Sequence, residues 1–349
     1  MLQTLELTNI RSYSSGLFEF SKGVNIIVGP NASGKTNLLE AVQMSATNNT
    51  FKSDDLNMVK NTCQWARIDA VFDGVERTVK IKTIPKINKT ITVDGVEKSR
   101  ISTSDLLPVV LFEPYDMLLL GGEPDRRRAY IDRVLCQISP NYNNTLKDYR
   151  RALSQRNKLL KQATIGPDHL FVWNVRLSKL AGEMVDKRLW YIDALQRQLS
   201  ENYQNVSGTE DILSVVYESK ISPLDNYETA MLKKLNDQFE IDRNRGFTGA
   251  GPHRDDMVIF INDNDVRLNA SRGETRSIVL ALKVAELRAV ETHTGKSPLL
   301  LLDDVFSELD GRRRRMLAQT LQNYQTIITT TDADVVTEHF SALCNIIPL

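Results

Sequence analysis

The sequence contains little cysteine and no long apolar run. Its three cysteines, Cys63, Cys136 and Cys344, lie far apart and form no CxxC pair. This spacing argues against a disulfide framework and a structural zinc site, and it suits a reduced compartment. No segment approaches the roughly 18 consecutive apolar residues of a membrane-spanning helix, and the N-terminal residues lack the basic and apolar regions of a signal peptide. We therefore expect a cytoplasmic protein that does not associate with membranes.

An excess of either charge is also absent. The 349 residues include 44 lysines and arginines and 44 aspartates and glutamates, so the formal net charge is zero. Such a chain has no bulk attraction for nucleic acid, and binding to DNA would need a local basic patch. The arginine clusters at residues 126–128, 150–151 and 312–315 could supply one. Each also has a structural interpretation; in the first cluster we expect one arginine to point inward and pair with an acid such as Asp132.

Hydrophobic periodicity changes along the chain. Near the N-terminus alternating residues predict strands, and the apolar run 24–28 predicts a buried strand that ends at a glycine loop. A helix is predicted over 37–44, and residues 65–97 again have strand character with turn signals. From about residue 125 to 245 the apolar spacing is three and four, which predicts a mainly helical insertion.

The last third of the sequence alternates between strands and helices. The predicted elements are strands over 257–261 and 266–268, a helix over 274–291, a buried strand over 299–302, a helix over 311–321 and a last core strand over 324–328. Because strands separated by helices pair in parallel, this order implies a mostly parallel sheet.

The loop after the first buried strand carries the most specific motif. Residues 29–36 match G-x-x-x-x-G-K-[ST], the Walker A fingerprint, whose backbone amides face phosphates at a helix N-terminus. In this interpretation Lys35 reaches the β- and γ-phosphates of ATP, and Thr36 binds Mg²⁺. An ordinary glycine loop is the alternative, but the preceding strand and following helix are what phosphate binding requires. The predicted nucleotide-binding residues in this segment are Gly29, Pro30, Asn31, Ala32, Ser33, Gly34, Lys35, Thr36 and Asn37.

A buried strand near the C-terminus ends in two aspartates. Residues 299–304 predict a Walker B strand that delivers Asp303 to the Mg²⁺ ion. Asp304 would then orient or deprotonate the attacking water, which makes Asp304 and Lys35 the predicted catalytic residues. The alternative, a core strand ending in two solvated acids, loses weight because a Walker A motif lies upstream.

Three further segments fit an ABC-type ATPase. Residues 271–274 either form a helix capping box or are the ABC signature, in which Ser271 and Gly273 bind the γ-phosphate held by a second subunit; the two interpretations are compatible. Residues 307–310 occupy the position of the D-loop, or simply cap the next helix. Thr330 stands where ABC proteins usually have a switch histidine, with a polar strand end as the alternative.

Taken together, these motifs resemble those of the RecF family of bacterial DNA-repair proteins, nearly end to end. The segments that carry the resemblance are residues 9–13, 34–41, 112–116, 122–128, 251–256 and 302–310. Two departures stand out: Ala32-Ser33 replaces a glycine that RecF loops commonly carry, and Tyr115 stands where the family often has an acidic residue.

The resemblance implies an ATP- and Mg²⁺-dependent homodimer with weak, DNA-stimulated ATPase activity. It also implies binding to gapped DNA near single-strand/double-strand junctions, work with RecO and RecR to load a recombinase, and a nucleotide contact by Arg11. An SMC or Rad50-type head would need a long coiled coil between residues 36 and 271, and the sequence leaves too little room for one. A transporter ATPase would carry a glutamate after Asp303 and a switch histidine. A nucleotide-gated module without catalysis stays open until turnover is measured.

We therefore predict an α/β fold: an ABC-type P-loop ATPase head, with a mostly parallel sheet and flanking helices, plus a largely helical second lobe. Residues 1–112 and 286–349 form the predicted nucleotide-binding lobe, with Walker A, Walker B and the D-loop. Residues 113–285 form the predicted helical lobe that carries the signature. The same head with a different partner, as in SMC and Rad50 proteins, is the alternative function.

Overall fold

The computed structural model describes residues 1–51, 55–98, 105–162, 164–340 and 344–349. By its internal contacts the chain forms two compact units. The first comprises residues 1–116 and 286–349, and the second comprises residues 117–285. Within the described residues, no helix combines the length and the apolar character that crossing a bilayer requires.

The regular elements are strands of two to nine residues and helices of four to 41 residues. The strands are β1 (Leu2–Ile10), β2 (Tyr13–Glu19), β3 (Val24–Val28), β4 (Trp65–Phe72), β5 (Val75–Lys82), β6 (Asn88–Val93), β7 (Val96–Lys98), β8 (Val109–Phe112), β9 (Leu213–Glu218), β10 (Asp256–Ile261), β11 (Asn264–Asp265), β12 (Leu299–Asp303), β13 (Thr326–Thr330) and β14 (Asn345–Pro348). The helices are α1 (Lys35–Thr47), α2 (Leu118–Gly121), α3 (Pro124–Ile138), α4 (Tyr142–Leu160), α5 (Pro167–Ser207), α6 (Tyr227–Asp237), α7 (Phe239–Arg245), α8 (Val266–Asn269), α9 (Arg272–Thr294), α10 (Gly311–Leu321) and α11 (Asp334–Thr337).

A parallel five-stranded sheet organises the first unit. Its strand order is β14-β3-β13-β12-β8, and every neighbouring pair is parallel. The strands β3, β8, β12 and β13 are almost entirely buried because both faces are covered, as in β12, where the first four residues are all buried, whereas the edge strand β14 is only partly buried. Since parallel strands end at one edge, Asp303 lies beside Thr329, and Thr330 lies beside Val28, at the carboxyl ends of their strands.

The N-terminal hairpins form a second, antiparallel sheet in the same unit. Its order is β2-β1-β4-β5-β6-β7. Alternate residues of these strands are buried, among them Leu5, Leu7, Ile68 and Val79, and they share one hydrophobic core with α1. The parallel sheet and its helices confirm the predicted fold class, and the short turns at 73–74 and 94–95 explain why this segment pairs antiparallel instead.

The second unit is largely helical, as predicted, and is built around the 41-residue helix α5. It also contains an antiparallel sheet of order β11-β10-β9. The strand β9 falls inside the stretch predicted to be helical. The predicted strand over 266–268 is wrong: this segment is the short helix α8, because Asp265 caps it by accepting from the Arg267 amide. In the first unit, the strand predicted to be last is followed by β14.

Candidate nucleotide site

The loop between β3 and α1 has the backbone geometry of a phosphate cradle. Gly34, the N-cap of α1, has φ 106°, a left-handed conformation that favours glycine. A Cβ there would also lie 2.8 Å from the Ser12 hydroxyl oxygen and 3.0 Å from that of Tyr13. Ala32 has φ 65° without being glycine, so the loop holds a strained residue. The first amides of any helix lack intrahelical partners, so the start of α1 is where a phosphate would bind.

Lys35 folds back over this loop. Its side chain is 8% exposed, and its ammonium donates to the carbonyl oxygens of Gly29 at 2.6 Å and Pro30 at 2.8 Å. Within the described residues, the ammonium forms no ion pair. Its positive charge is therefore solvated by neutral carbonyls, which an anionic ligand would readily displace.

The structure brings together the two predicted Mg²⁺ ligands. The Thr36 hydroxyl donates to both carboxylate oxygens of Asp303, at 3.0 Å each. Thr36 reaches this position from the first turn of α1, and Asp303 from the end of β12. A hydroxyl and a carboxylate are hard oxygen donors of the kind that Mg²⁺ prefers, so the pair fits a magnesium ion.

Asp304 has an unusual backbone. Its φ is 53°, a left-handed conformation that aspartate adopts more readily than most non-glycine residues. The Ser307 hydroxyl lies 2.7 Å from the Asp304 carbonyl oxygen and 3.0 Å from its carboxylate Oδ1. The segment after β12 therefore fixes the carboxylate, and Ser307, the predicted D-loop serine, contributes to this.

Thr329 is a site residue that sequence reasoning missed. It is fully buried at the end of β13, where its hydroxyl donates to Asp303 Oδ1 at 2.8 Å. The same hydroxyl oxygen accepts from the Asp304 amide at 3.0 Å. Thr329 thus links both aspartates. The register of β12 with β13, which pairs Asp303 with Thr329, is the signal, and it becomes visible only once the sheet order is known.

Thr330, the predicted switch residue, is engaged elsewhere in this structure. Its hydroxyl accepts from the Asp332 amide at 3.1 Å and lies 3.0 Å from the Asp332 carbonyl oxygen. Its own carbonyl accepts from the Gly29 amide at 3.3 Å. Thr330 therefore closes the turn after β13 and ties that strand to the phosphate loop.

The turn between β1 and β2 covers the phosphate loop. The Tyr13 hydroxyl donates to the Gly34 carbonyl oxygen at 3.2 Å, and burial raises the pKa of Tyr13 to about 12, so the phenol stays protonated. Asn37 donates to the Ser12 hydroxyl at 3.0 Å. Arg11, a predicted nucleotide contact, forms an ion pair with the fully buried Glu40 of α1.

Ser271 and Gly273 lie in the second unit, at the start of α9. The Ser271 hydroxyl accepts from the Glu274 amide at 3.2 Å, and the Glu274 carboxylate accepts from the Ser271 amide at 2.7 Å. This is a capping box. It leaves an exposed, well-defined helix N-terminus, which the signature interpretation also requires. The D-loop segment likewise provides a cap, because Asp310 accepts from the Arg313 amide at the start of α10.

The 251–256 segment, one of the motifs behind the family resemblance, lies in a buried network. Asp255 accepts from the hydroxyls of Tyr217, Tyr227 and Ser219 at 2.7–2.9 Å, and burial raises its pKa. His253 Nε2 donates to the Thr248 carbonyl oxygen at 3.1 Å, so its Nδ1 accepts from the Tyr149 hydroxyl at 2.6 Å. Burial, together with the nearby arginines, lowers the pKa of His253 to about 4.

Buried ion pairs complete this network. Arg156 pairs with Asp242, Arg188 with Asp132, and Arg127 with Asp256, each at 2.8 Å. We call the buried groups of the second unit the polar core; its members are Arg127, Asp132, Tyr149, Arg156, Arg188, Asp242, His253, Asp255 and Asp256.

The arginine clusters are only partly free for ligands. In the first cluster Arg127 does point inward, as expected, but the suggested partner is wrong. Arg127 pairs with Asp256, because Asp132 is held by Arg188 from α5. Arg128 donates to the Asp255 carbonyl oxygen at 2.7 Å. The exposed cluster members are Arg126, Arg150, Arg151, Arg312 and Arg315.

The fold and the position of these motifs define the chain as an SMC-like ATPase head of the ABC class. The family model of the RecF/RecN/SMC N terminal domain matches residues 1–347. The DNA replication and repair protein RecF of Clostridium perfringens strain SM101 is 31% identical over 345 residues, which cover 97% of this chain and 95% of that protein. RecF of Lachnoclostridium phytofermentans is 35% identical over 338 residues, covering 95% and 92%. The chain belongs to the RecF family.

Solved structures agree with this assignment. A structure of the recombination mediator protein RecF-ATPrS in the RecFOR pathway matches with a TM-score of 0.88 at 30% identity, covering 99% of this chain and 96% of that one. An Smc head domain from Pyrococcus yayanosii matches with a TM-score of 0.55 at 14% identity, covering 99% and 94%. The second similarity shows a shared fold only. The predicted family resemblance is thus confirmed.

Proposed function

We propose that the protein is an ATP-gated, DNA-binding ATPase of recombinational repair. The observation that carries the proposal is the meeting of Lys35, Thr36 and Asp303 at one edge of the parallel sheet, with Thr36 and Asp303 in direct contact. A structure of RecF-ATP in the RecFOR pathway, 29% identical to this chain with a TM-score of 0.85, supports ATP as the nucleotide.

ATP binding would replace contacts that the loop now makes with itself. The Lys35 ammonium would exchange the carbonyl oxygens of Gly29 and Pro30 for β- and γ-phosphate oxygens, a gain because charge-assisted hydrogen bonds are stronger. The amides of residues 31–36 and the N-terminus of α1 would stabilise the phosphate charge. Asn37 and Arg11 would lie next to the bound nucleotide. Asn37 contacts Ser12 in the turn between β1 and β2, and Arg11 in the same turn pairs with Glu40.

Thr36 and Asp303 would hold Mg²⁺, which neutralises phosphate charge when bound. Thr329 would keep the Asp303 carboxylate turned toward Thr36 by donating to its Oδ1. Asp304 would accept a proton from the attacking water or orient it, with its direction set by the left-handed backbone and by Ser307.

Dimerisation would complete each site. The exposed start of α9, with Ser271 and Gly273, would face the γ-phosphate bound by a second copy, because a helix N-terminus stabilises anions. Thr330 would complete the γ-phosphate contacts, provided that its hydroxyl leaves the turn with Asp332. Binding of ATP would thereby favour the dimer and ADP would not.

DNA would then bind a dimer with duplicated cationic groups. We propose gapped DNA and single-strand/double-strand junctions as the substrate, RecO and RecR as partners, and loading of a recombinase as the outcome. Membership of the RecF family and the RecFOR pathway named for the structural relatives support these steps. Because the net charge is zero, affinity should depend on phosphate contacts and fall steeply with salt.

The variant Asp304→Asn tests the ATPase. Nucleotide affinity should be retained, because Lys35, Thr36 and Asp303 are unchanged, while turnover falls and an ATP-bound dimer accumulates in light scattering. Ser271→Arg is the matched counterpart: it should bind ATP as a monomer and fail to dimerise. Normal turnover by Asp304→Asn would exclude Asp304 as the catalytic carboxylate, and normal dimerisation by Ser271→Arg would leave Ser271 as only a helix cap.

A further inference from the structure

An aromatic and basic strip lies on the outer face of the antiparallel sheet. It comprises Trp65 and Arg67 of β4 together with Lys80 and Lys82 of β5, and we call it the Trp65 strip. Arg67 forms an ion pair with Asp69 at 2.5 Å, so the net positive charge of the strip comes from Lys80 and Lys82. The register pairs Trp65 with Lys82 and Arg67 with Lys80. Because residues two apart on a strand point to the same side, all four side chains share one face.

The tryptophan in this strip is unusually accessible. Trp65 is 46% exposed, although its neighbours in sequence on the inner face, Ala66 and Ile68, are completely buried. Two more large apolar side chains, Ile84 and Ile87 in the loop after β5, are 58% and 49% exposed. Exposed apolar side chains gathered at one place mark a contact surface rather than ordinary surface scatter.

The lysines of the strip lack the partners that other lysines of this sheet have. Within the described residues, neither Lys80 nor Lys82 forms an ion pair. By contrast, Lys89, on the inner face of β6, pairs with Asp55 at 2.8 Å, and Lys98 of β7 pairs with Asp105 at 2.6 Å. The charges of Lys80 and Lys82 are therefore left for something outside the sheet.

The cationic character is confined to one end of the face. Thr90 lies opposite Lys80 and Asn88 opposite Lys82, so the strip continues onto β6 with uncharged polar groups. Toward the other end of the strands the same face carries Glu6 opposite Asp69, and Asp69 is neutralised by Arg67. A polyanion would thus be drawn to the end where Lys80 and Lys82 lie rather than to the end that carries Glu6.

We propose that the Trp65 strip binds single-stranded DNA, with Lys80 and Lys82 contacting phosphates and the Trp65 indole stacking on a base. The inference rests on the proposed DNA-binding function and names the surface that takes the unpaired strand of a gap. Charge complementarity selects a polyanion. The accessible indole selects unpaired bases, because stacking on aromatic side chains stabilises single strands and a duplex keeps its base faces covered.

The test compares two labelled DNAs of equal length, one gapped and one fully paired, bound to the full-length protein in ATP. Trp65→Ala should weaken binding to gapped DNA about tenfold, from the loss of stacking, and binding to paired DNA less than twofold. Trp65→Phe should restore most of the gapped-DNA affinity, since it keeps an aromatic face. A general loss of folding would affect both DNAs alike, and the phenylalanine variant guards against it.

The lysines are tested by salt dependence. The pair Lys80→Gln and Lys82→Gln removes two phosphate contacts, so the slope of log affinity against log salt for gapped DNA should flatten by about 1.4, at roughly 0.7 per contact. The control pair Lys179→Gln and Lys233→Gln, exposed lysines on α5 and α6, should leave the slope unchanged.

The outcomes separate the two claims. If the wild-type protein in ATP binds neither DNA, the proposed DNA-binding function fails. If it binds gapped DNA and the Trp65 and lysine variants bind equally well, the Trp65 strip is not the single-strand surface. The inference is also overturned if the lysine pair leaves DNA binding intact and abolishes binding to phosphatidylserine vesicles, since the strip would then be a lipid surface.

Discussion

The nucleotide edge of the first unit and the polar core of the second unit hold charged groups in opposite ways. At the nucleotide edge, Lys35, Asp303 and Asp304 contact carbonyls, hydroxyls and amides, and within the described residues none of them forms an ion pair. In the polar core, Arg156 and Arg188 are each neutralised by a buried aspartate. Charges at the edge are held in position for a ligand, whereas charges in the core are matched internally.

This contrast separates binding motifs from motifs that shape the fold. The 251–256 segment and the Walker motifs both contain charged and polar residues. Asp255 and His253, however, are surrounded by groups of the same unit. A charged residue can therefore be satisfied entirely inside the fold, as Asp255 is by three hydroxyls, so a charged motif alone does not indicate a ligand.

The largest expected effect is on the polar core. Arg156→Met would leave Asp242, which is 1% exposed, without its cation, and Asn174 and Thr248 without a shared partner. The free energy of unfolding should fall by about 3–5 kcal/mol, measured by urea denaturation. Arg197→Met, which breaks the exposed pair with Asp193, is the control and should change it by less than about 0.5 kcal/mol. Equal losses of unfolding free energy in both variants would contradict the claim that the buried ion pairs stabilise the second unit.

His253 should make the stability of the protein depend on pH. Its folded-state pKa of about 4 lies below the ordinary 6.5, so the unfolded chain binds the proton first as pH falls. The stability it contributes is complete above pH 6.5 and is lost as pH falls toward 4. Between pH 7.5 and 5 the wild-type protein should lose about 2 kcal/mol more than His253→Gln in denaturant titrations. Parallel pH profiles for the two proteins would exclude this role.

A smaller effect is expected from the hydroxyl that links the two aspartates. Thr329→Val removes the donor to Asp303 and one acceptor of the Asp304 amide. The Mg²⁺ concentration for half-maximal ATP turnover should rise about tenfold, as when other residues that orient metal ligands are changed. Thr329→Ser should restore it, and nucleotide affinity without Mg²⁺ should not change. An unaltered Mg²⁺ requirement in Thr329→Val would remove Thr329 from the site.

The smallest expected effect concerns backbone strain in the phosphate loop. Ala32→Gly should stabilise the protein by about 1 kcal/mol, because glycine adopts the left-handed conformation at φ 65° without strain. Ala230→Gly in α6 should destabilise by about the same amount, since glycine is unfavourable inside a helix. Thermal unfolding of both variants would check this, and losses of similar size would show that Ala32 is unstrained.

Sequence patterns were most informative where one local rule determined the structure. The apolar run of β3, the glycine loop and α1 follow each other as phosphate binding requires, and the capping residues at Ser271 and Asp310 lie at helix starts. These features depend on neighbours in sequence, so local patterns suffice to predict them.

Features that depend on distant pairing could not be predicted in this way. Thr329 joins the site because β13 lies beside β12, whereas the sequence motif pointed to its neighbour Thr330. The partner of Arg127 is 129 residues away, at Asp256. The strand β9 was not predicted, because it lies within a mainly helical stretch. Its three buried residues form a strand through pairing with β10, which the local sequence does not show. The roles predicted for the two units, and the nucleotide-binding and catalytic roles predicted for individual residues, stay predictions.

The affinity of Lys35→Met for a fluorescent ATP analogue decides whether the edge of the parallel sheet is the ATP site. Loss of the ammonium held above the loop should weaken binding about 100-fold. The variant should stay folded, with a slightly lower midpoint of urea unfolding, because the carbonyl oxygens of Gly29 and Pro30 lose their donor. Lys22→Met, at an exposed lysine of the same unit, should bind like the wild-type protein. Full nucleotide affinity in Lys35→Met would contradict the assignment of this edge as the ATP site.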